Sequence, residues 1–216
     1  MQQATRFLFF GTALQEADRI RGSVGGLPVF QGQPVYWERK GRMYQEKDSV
    51  LYGTQGVCRI EEITEKSFNG RNRVYYVLKP VFHESATIFV PVDNEALTAR
   101  MCKVLSAEEV RQLIHGMPAE QTIWIDNDVE RKERYKEILA QGDRTALVRM
   151  IKTLYQHQQK QQKRGKKLHV ADERFMKEAE RILYEEFAHV LNIQKEQVLP
   201  FIMEEIQVEA LHADAL

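Results

Sequence analysis

The sequence predicts an α+β protein. A small, strongly bent β barrel at residues 43–105 precedes an all-helical domain at 126–209, with a linker helix and seam at 106–125 and a short tail at 210–216. Three observations predict this. Short runs rich in Val, Ile, Tyr and Phe alternate with polar residues between 48 and about 104. Asn69-Gly70 stands between two of those runs, the dipeptide that a two-residue hairpin turn favours. At Ser106 the apolar period changes from two to that of a helix and stays there.

Residues 1–42 fit neither half. GSVGGLPVFQGQP has glycines and prolines without a sustained period. Either Met43 is the true start, the reading favoured here, or the leader is a poorly ordered extension. Candidate strands follow at 49–52, 57–68, 73–82, 87–91 and, less regularly, 99–104. Several short strands in so few residues suggest a barrel.

SAEE at 106–109 is a capping-box pattern, in which the Ser hydroxyl takes an orphan backbone N–H and Glu109 reaches back. A short helix through about His115 is expected, ending at GMPAE. A helix at 126–140 ends where Gly142 can supply a left-handed cap. A second at 145–162 spaces Leu147, Val148, Ile151, Leu154 and Tyr155 helically, and Arg164-Gly165 breaks it. A third at 170–191 puts Phe175, Ala179, Ile182, Leu183 and Phe187 on one face and ends at Asn192. The last, at 195–209, reads as loosely packed.

Formal net charge is +0, but its distribution is uneven. Residues 149–167 hold seven Lys or Arg and no acid, whereas 172–216 hold eleven Asp or Glu against four Lys or Arg. A basic stretch can neutralise phosphates and give sequence-independent affinity for DNA; a solvated helix face is the plainer account. In ERKERYKEIL the cations Arg131, Lys132, Arg134 and Lys136 interleave with Glu130, Glu133 and Glu137, so intrahelical pairs are expected.

Nothing points to catalysis. His83, Glu84 and Ser85 are neighbours in one turn, which does not make a triad, and there is no GxSxG, phosphate loop or HExxH. Cys58 and Cys102 form no CxxC pair and have no His at ligand spacing, so they read as reduced structural thiols, with no metal or cofactor. FLFFGTAL at 7–14 is too short to span a bilayer and has no convincing cleavage site after it, so a cytoplasmic protein is expected.

The pattern K-D-x-V-x-Y-G-x-x-G-V-x-x-I at 47–60, then Tyr75-Tyr76-Val77-Leu78 and Ile88-Phe89-Val90-Pro91-Val92, resembles the CarD family of bacterial transcription regulators. RYKEILAQGD at 134–143, RTALVRMIKTLY after it, and ADERFMKEAERILYEEFA at 171–188 resemble the family's helical domain. The resemblance covers about Met43 to Glu205. It implies a Tudor/SH3-like β barrel that binds the RNA polymerase β subunit, a module shared with transcription-repair coupling factors. It also implies a helical domain that contacts promoter DNA and stabilises the open complex, in a non-enzymatic, nucleoid-associated protein. A monomer is expected, since no long apolar seam is left over.

Matching the strands puts Lys66, Phe89, Val90 and Pro91 at the polymerase. Phe89 is the better side-chain candidate, since Val90 reads as core. Arg134, Lys136 and Arg174 match basic positions of the family. Lys132 and Arg149 are added from charge alone. Many members carry a minor-groove wedge Trp where the ungapped match puts Arg131 here. Trp124, seven residues earlier, is either a substitute wedge or a packing anchor between domains. Glu173 stands where some members have Lys. The alternative function is an adaptor that docks on polymerase or a repair ATPase without productive DNA contact.

Overall fold

β1 (Ser49–Tyr52) explains how the two halves are joined, because it is buried on both faces. The computed structural model describes residues 44–68, 71–83 and 87–213; the expectations for 1–42 and for Glu84 and Ser85 lie outside them. After β1 come β2 (Val57–Phe68), β3 (Arg71–Pro80), β4 (Ile88–Pro91), the short helix α1 (Glu95–Thr98) and β5 (Met101–Lys103). The strands form an antiparallel sheet in the order β4-β3-β2-β1-β5. Where a barrel was predicted the structure shows a five-stranded antiparallel sheet, and no ladder joins β4 to β5 among the described residues.

Phe68 pairs with Arg71, so the connection has the two-residue length that Asn69-Gly70 predicts, although those two residues lie outside the described ones. The register slips between Ile60 and Glu62, leaving Glu61 as the extra residue of a bulge. A bulge bends a long strand and increases its twist, which lets the twelve residues of β2 curl over a small core. That core holds Val50, Tyr52, Cys58, Ile60, Tyr76, Leu78, Val90 and Met101.

The helices are α2 (Ala107–Gly116), α3 (Asp128–Gln141), α4 (Arg144–Lys163), α5 (Val170–Leu191) and α6 (Lys195–Ala213). The capping box at Ser106 and Glu109 forms with both hydrogen bonds. Gly142 (φ 66°) ends α3 in the left-handed conformation, as predicted, and Asn192, the predicted end of α5, does so too (φ 53°). α6 is longer than expected and is anchored, with Val198 and Ile202 fully buried and Ile206 nearly so.

Leu51, between Val50 and Tyr52, points the other way and joins the helical core, as does Val57. One strand therefore serves two cores. The approach is close enough to require glycine: a Cβ on Gly142 would lie 3.1 Å from the Leu51 side chain, and one on Gly56 would collide with the Glu185 carboxylate.

Two adjacent buried acids on α5 bind the halves together. Glu186, with a fully buried side chain, takes both nitrogens of a bidentate contact from Arg144 (2.6 and 2.9 Å) and the Leu105 N–H (3.0 Å). Arg144 also donates to the Lys103 carbonyl at 2.7 Å. Glu185 accepts from Arg181 (2.7 Å) and Lys195 (3.1 Å) and lies 2.7 Å from His83 Nε2. Arg181 reaches across to the Thr54 carbonyl at 2.5 Å. Buried charges persist only when paired this fully, so sheet and bundle are held in one orientation.

Candidate interfaces for polymerase and nucleic acid

β4 ends the sheet and pairs only with β3 among the described strands, through Tyr75↔Pro91 to Leu78↔Ile88. Alternation along it decides which side chains face outward. Phe89 lies on the outer face with the Tyr75 ring edge-on at 6.2 Å, and the Lys66 ammonium stands 4.5 Å above its centroid. Lys66 also has Glu62 at 3.8 Å. The predicted Lys66 and Phe89 are therefore one contiguous feature, with half-buried Pro91 on the same strand. Val90 differs. It is 0% exposed in the sheet core, and its N–H and C=O face Tyr76 of β3, as the bond from the Val92 N–H to the Val74 carbonyl two residues on requires, so it offers a partner neither side chain nor backbone.

At the far end of the bundle, α3 and α5 begin side by side. Arg131 joins them, with Nε 3.2 Å and Nη2 3.1 Å from the two Asp172 oxygens. Nη1 donates to the Ile125 carbonyl at 2.7 Å, and Nη2 to Asp128 at 2.5 Å. Burial opposes the charge on Arg131, but Asp172 and Asp128 outweigh it and its pKa is raised. Arg131 is 3% exposed. The DNA role suggested by its place at the family's wedge position meets an obstacle: the guanidinium is already held by two carboxylates and the Ile125 and Asp126 carbonyls.

Trp124 is next to it. The Arg131 guanidinium lies 4.4 Å from the indole centroid, and the His157 ring of α4 stacks on Trp124 at 3.7 Å with an 8° interplanar angle. The indole N–H donates to Asp126 at 2.8 Å. Burial holds His157 below the ordinary histidine pKa, which favours the neutral form of the stacked ring. Trp124 is 36% exposed and lies on the bundle, not between the two halves. The sequence match put Arg131 in the place of the wedge residue, and the fold puts an indole directly against that arginine. Val129 (71% exposed) and Val170 (69%), in the first turns of α3 and α5, add apolar surface at the same end.

The other predicted cations divide by pairing. Arg134 is held by Glu137 (3.1 Å), Lys136 by Glu133 (2.7 Å) and Arg149 by Glu120 (2.5 Å), all at the surface. Lys132 and Arg174 take no ion pair among the described residues, and Arg174 is exposed beside the groove lined by Leu139 and Phe175. The acid-free basic stretch noted in the sequence at 149–167 stands out here, although its residues were not named individually. Lys160, Lys163, Arg164, Lys166 and Lys167 are all exposed at the α4–α5 turn. The absence of acid from 149–167 was the signal for them.

Elsewhere the chemistry is structural. Cys58 is buried, and burial pushes its thiol up to about 12, which keeps it protonated and unreactive. Among the described residues no group of three His, Cys, Asp or Glu is arranged to hold a metal ion, and no helix is long and apolar enough to cross a membrane.

Comparison with known proteins follows the same division. Residues 44–104 match the family model described as CarD-like/TRCF RID domain, and residues 105–203 match that described as CarD, C-terminal domain. No curated protein matches the chain.

Proposed function

The chain belongs to the CarD family, and from that premise we propose a transcription regulator that docks on the RNA polymerase β subunit through its sheet and meets promoter DNA through its bundle, modulating open-complex formation. One observation carries this reading: the matched interaction sheet keeps an edge strand, and the bundle attached to it carries an exposed indole where α3 and α5 begin, with Lys132 and Arg174, which take no ion pair among the described residues, one turn into those helices.

An edge strand can take up a partner's strand by main-chain hydrogen bonds, with outward side chains supplying selectivity. On β4 those side chains are Phe89, under Lys66, and Pro91. The outward main-chain groups of β4 are the Phe89 N–H and C=O and the Pro91 C=O, because Val90 turns its own to β3. At the other end Trp124 is suited to wedge against a base step at the edge of melted DNA. Lys132 and Arg174 supply phosphate contacts. The buried Glu185 and Glu186 clusters fix sheet and bundle together, so docking on polymerase sets where the indole falls. The second contact then becomes intramolecular, and its effective concentration replaces intrinsic DNA affinity. The protein acts as a monomer in the cytoplasm, on the nucleoid, and catalyses no reaction.

The test is capture of RNA polymerase by the full chain. Lys66→Glu with Phe89→Ala is expected to lower capture at least tenfold while the melting curve is unchanged. Capture at the wild-type level, with no cross-link to the β subunit, would sink this reading.

A second reading has its own support. Arg134, Lys136 and Arg149 are neutralised by acids, and Asp126, Asp128 and Asp172 surround the Trp124 end. These favour an adaptor that docks on polymerase or a repair ATPase without productive DNA contact. A salt-dependent affinity for promoter DNA separates the two.

A further inference from the structure

Lysine and arginine at the end of a helix ordinarily need no explanation, because they complement the partial negative charge of the last carbonyls. The end of α4 is different. Two of its last carbonyls are met by backbone: the N–H groups of Arg164, Gly165 and Lys166 bond the Gln161 and Gln162 carbonyls at 2.9 Å. The side chains of Lys160, Lys163, Arg164, Lys166 and Lys167 make no hydrogen bond or ion pair among the described residues. Five cations held close together and without counter-charge raise one another's energy. Such a patch is stabilised by an external polyanion.

Its placement says which polyanion. His157 and Lys160 share one face of α4, spaced i and i+3, and Arg164, the residue that caps the helix, follows about one turn on. His157 carries the Trp124 ring at 3.7 Å. Seven residues of helix rise about 10 Å, the axial length of about three base pairs at 3.4 Å each. An indole and a line of cations on this scale match a base step and the phosphates running away from it. By contrast, Arg134 and Lys136 of α3 are already neutralised by Glu137 and Glu133.

We propose that the α4–α5 corner of Lys160, Lys163, Arg164, Lys166 and Lys167 is the phosphate track of the DNA interface, with Trp124 at its head, and that Arg134 and Lys136 are bystanders. This rests on the promoter-DNA reading above.

The experiment is a titration of the full chain against a fluorescent duplex with a forked end, at several salt concentrations. Two variants are compared with wild type: Lys163→Gln/Arg164→Gln/Lys166→Gln/Lys167→Gln, and Arg134→Gln/Lys136→Gln. All six positions are exposed, so both variants should melt as wild type does. Each phosphate contact contributes about 0.9 to the slope of log affinity against log salt. The corner variant is expected to lose about 2–3 from that slope and at least tenfold in affinity, and the α3 variant to stay near wild type. The reverse pattern would overturn the corner assignment and leave the promoter reading standing. A wild-type chain whose DNA affinity shows no salt dependence would overturn both.

Discussion

Glu180 is a carboxyl group that the fold holds at a cost, and replacing it should stabilise the protein. It lies on α5 at 5% exposure, beside Ala179 and one turn before Leu183, both fully buried. Burial pushes its pKa up to about 8 from 4.5, against the weaker opposing pull of Lys177. The sign follows from linkage: a pKa raised in the folded state means stability is full below pH 4.5 and is lost as pH rises towards about 8. Each pH unit in that window costs about 1.4 kcal/mol. At pH 7, two and a half units above the unfolded value, the loss is about 3 kcal/mol. Glu180→Gln keeps the shape and cannot ionise. Urea denaturation followed by circular dichroism should show the variant about 3 kcal/mol more stable at pH 7, with the gain shrinking to near zero at pH 4.5. His157 and His189 are both held below the ordinary histidine value by burial, and their protonation weakens the fold as pH drops below about 6.5. They titrate in both proteins, so the variant-minus-wild-type difference isolates Glu180. A difference that does not change with pH would refute the assignment of the cost to ionisation.

Two further outcomes test the frame around the interfaces. Glu186→Gln leaves the Arg144 guanidinium, 13% exposed, without its carboxylate, and should cost about 3–5 kcal/mol in denaturant unfolding, as removing one partner of a buried pair does. Arg131→Ala should cost a similar amount because it strands the buried Asp172 carboxylate, whereas Trp124→Ala, at a partly exposed ring, should cost less than about 2 kcal/mol and act on DNA binding instead. Equal stability losses from these two would show that the indole is a packing anchor.

The sequence made the local features legible because their causes are local. The capping box, the left-handed ends at Gly142 and Asn192, and the bounds of β1, β2 and α5 each depend on residues within a turn of one another. The two-core role of β1 was less visible, although Val50-Leu51-Tyr52 carries its signal: three apolar residues in succession leave no face for water. The closeness of bundle and sheet was written in Gly56 and Gly142, but a glycine announces that space is short without saying what fills it.

Charge was harder to read, for a physical reason. A basic residue is named by the sequence, but its availability is decided by its partner, and partners differ in distance along the chain. Arg134–Glu137 and Lys136–Glu133 are three residues apart and were foreseeable as helical pairs. Arg149 finds Glu120 across 29 residues, and Arg131 finds Asp172 across 41, so neither charge alone, which nominated Arg149, nor the match by position, which nominated Arg131, revealed the partner. The α4–α5 corner follows the same rule in reverse. Residues 149–167 contain no acid, but only the fold establishes that no acid from elsewhere among the described residues reaches Lys160, Lys163, Arg164, Lys166 or Lys167. A candidate phosphate contact is therefore better ranked by what its charge lacks than by where it aligns, and by that measure the corner precedes α3.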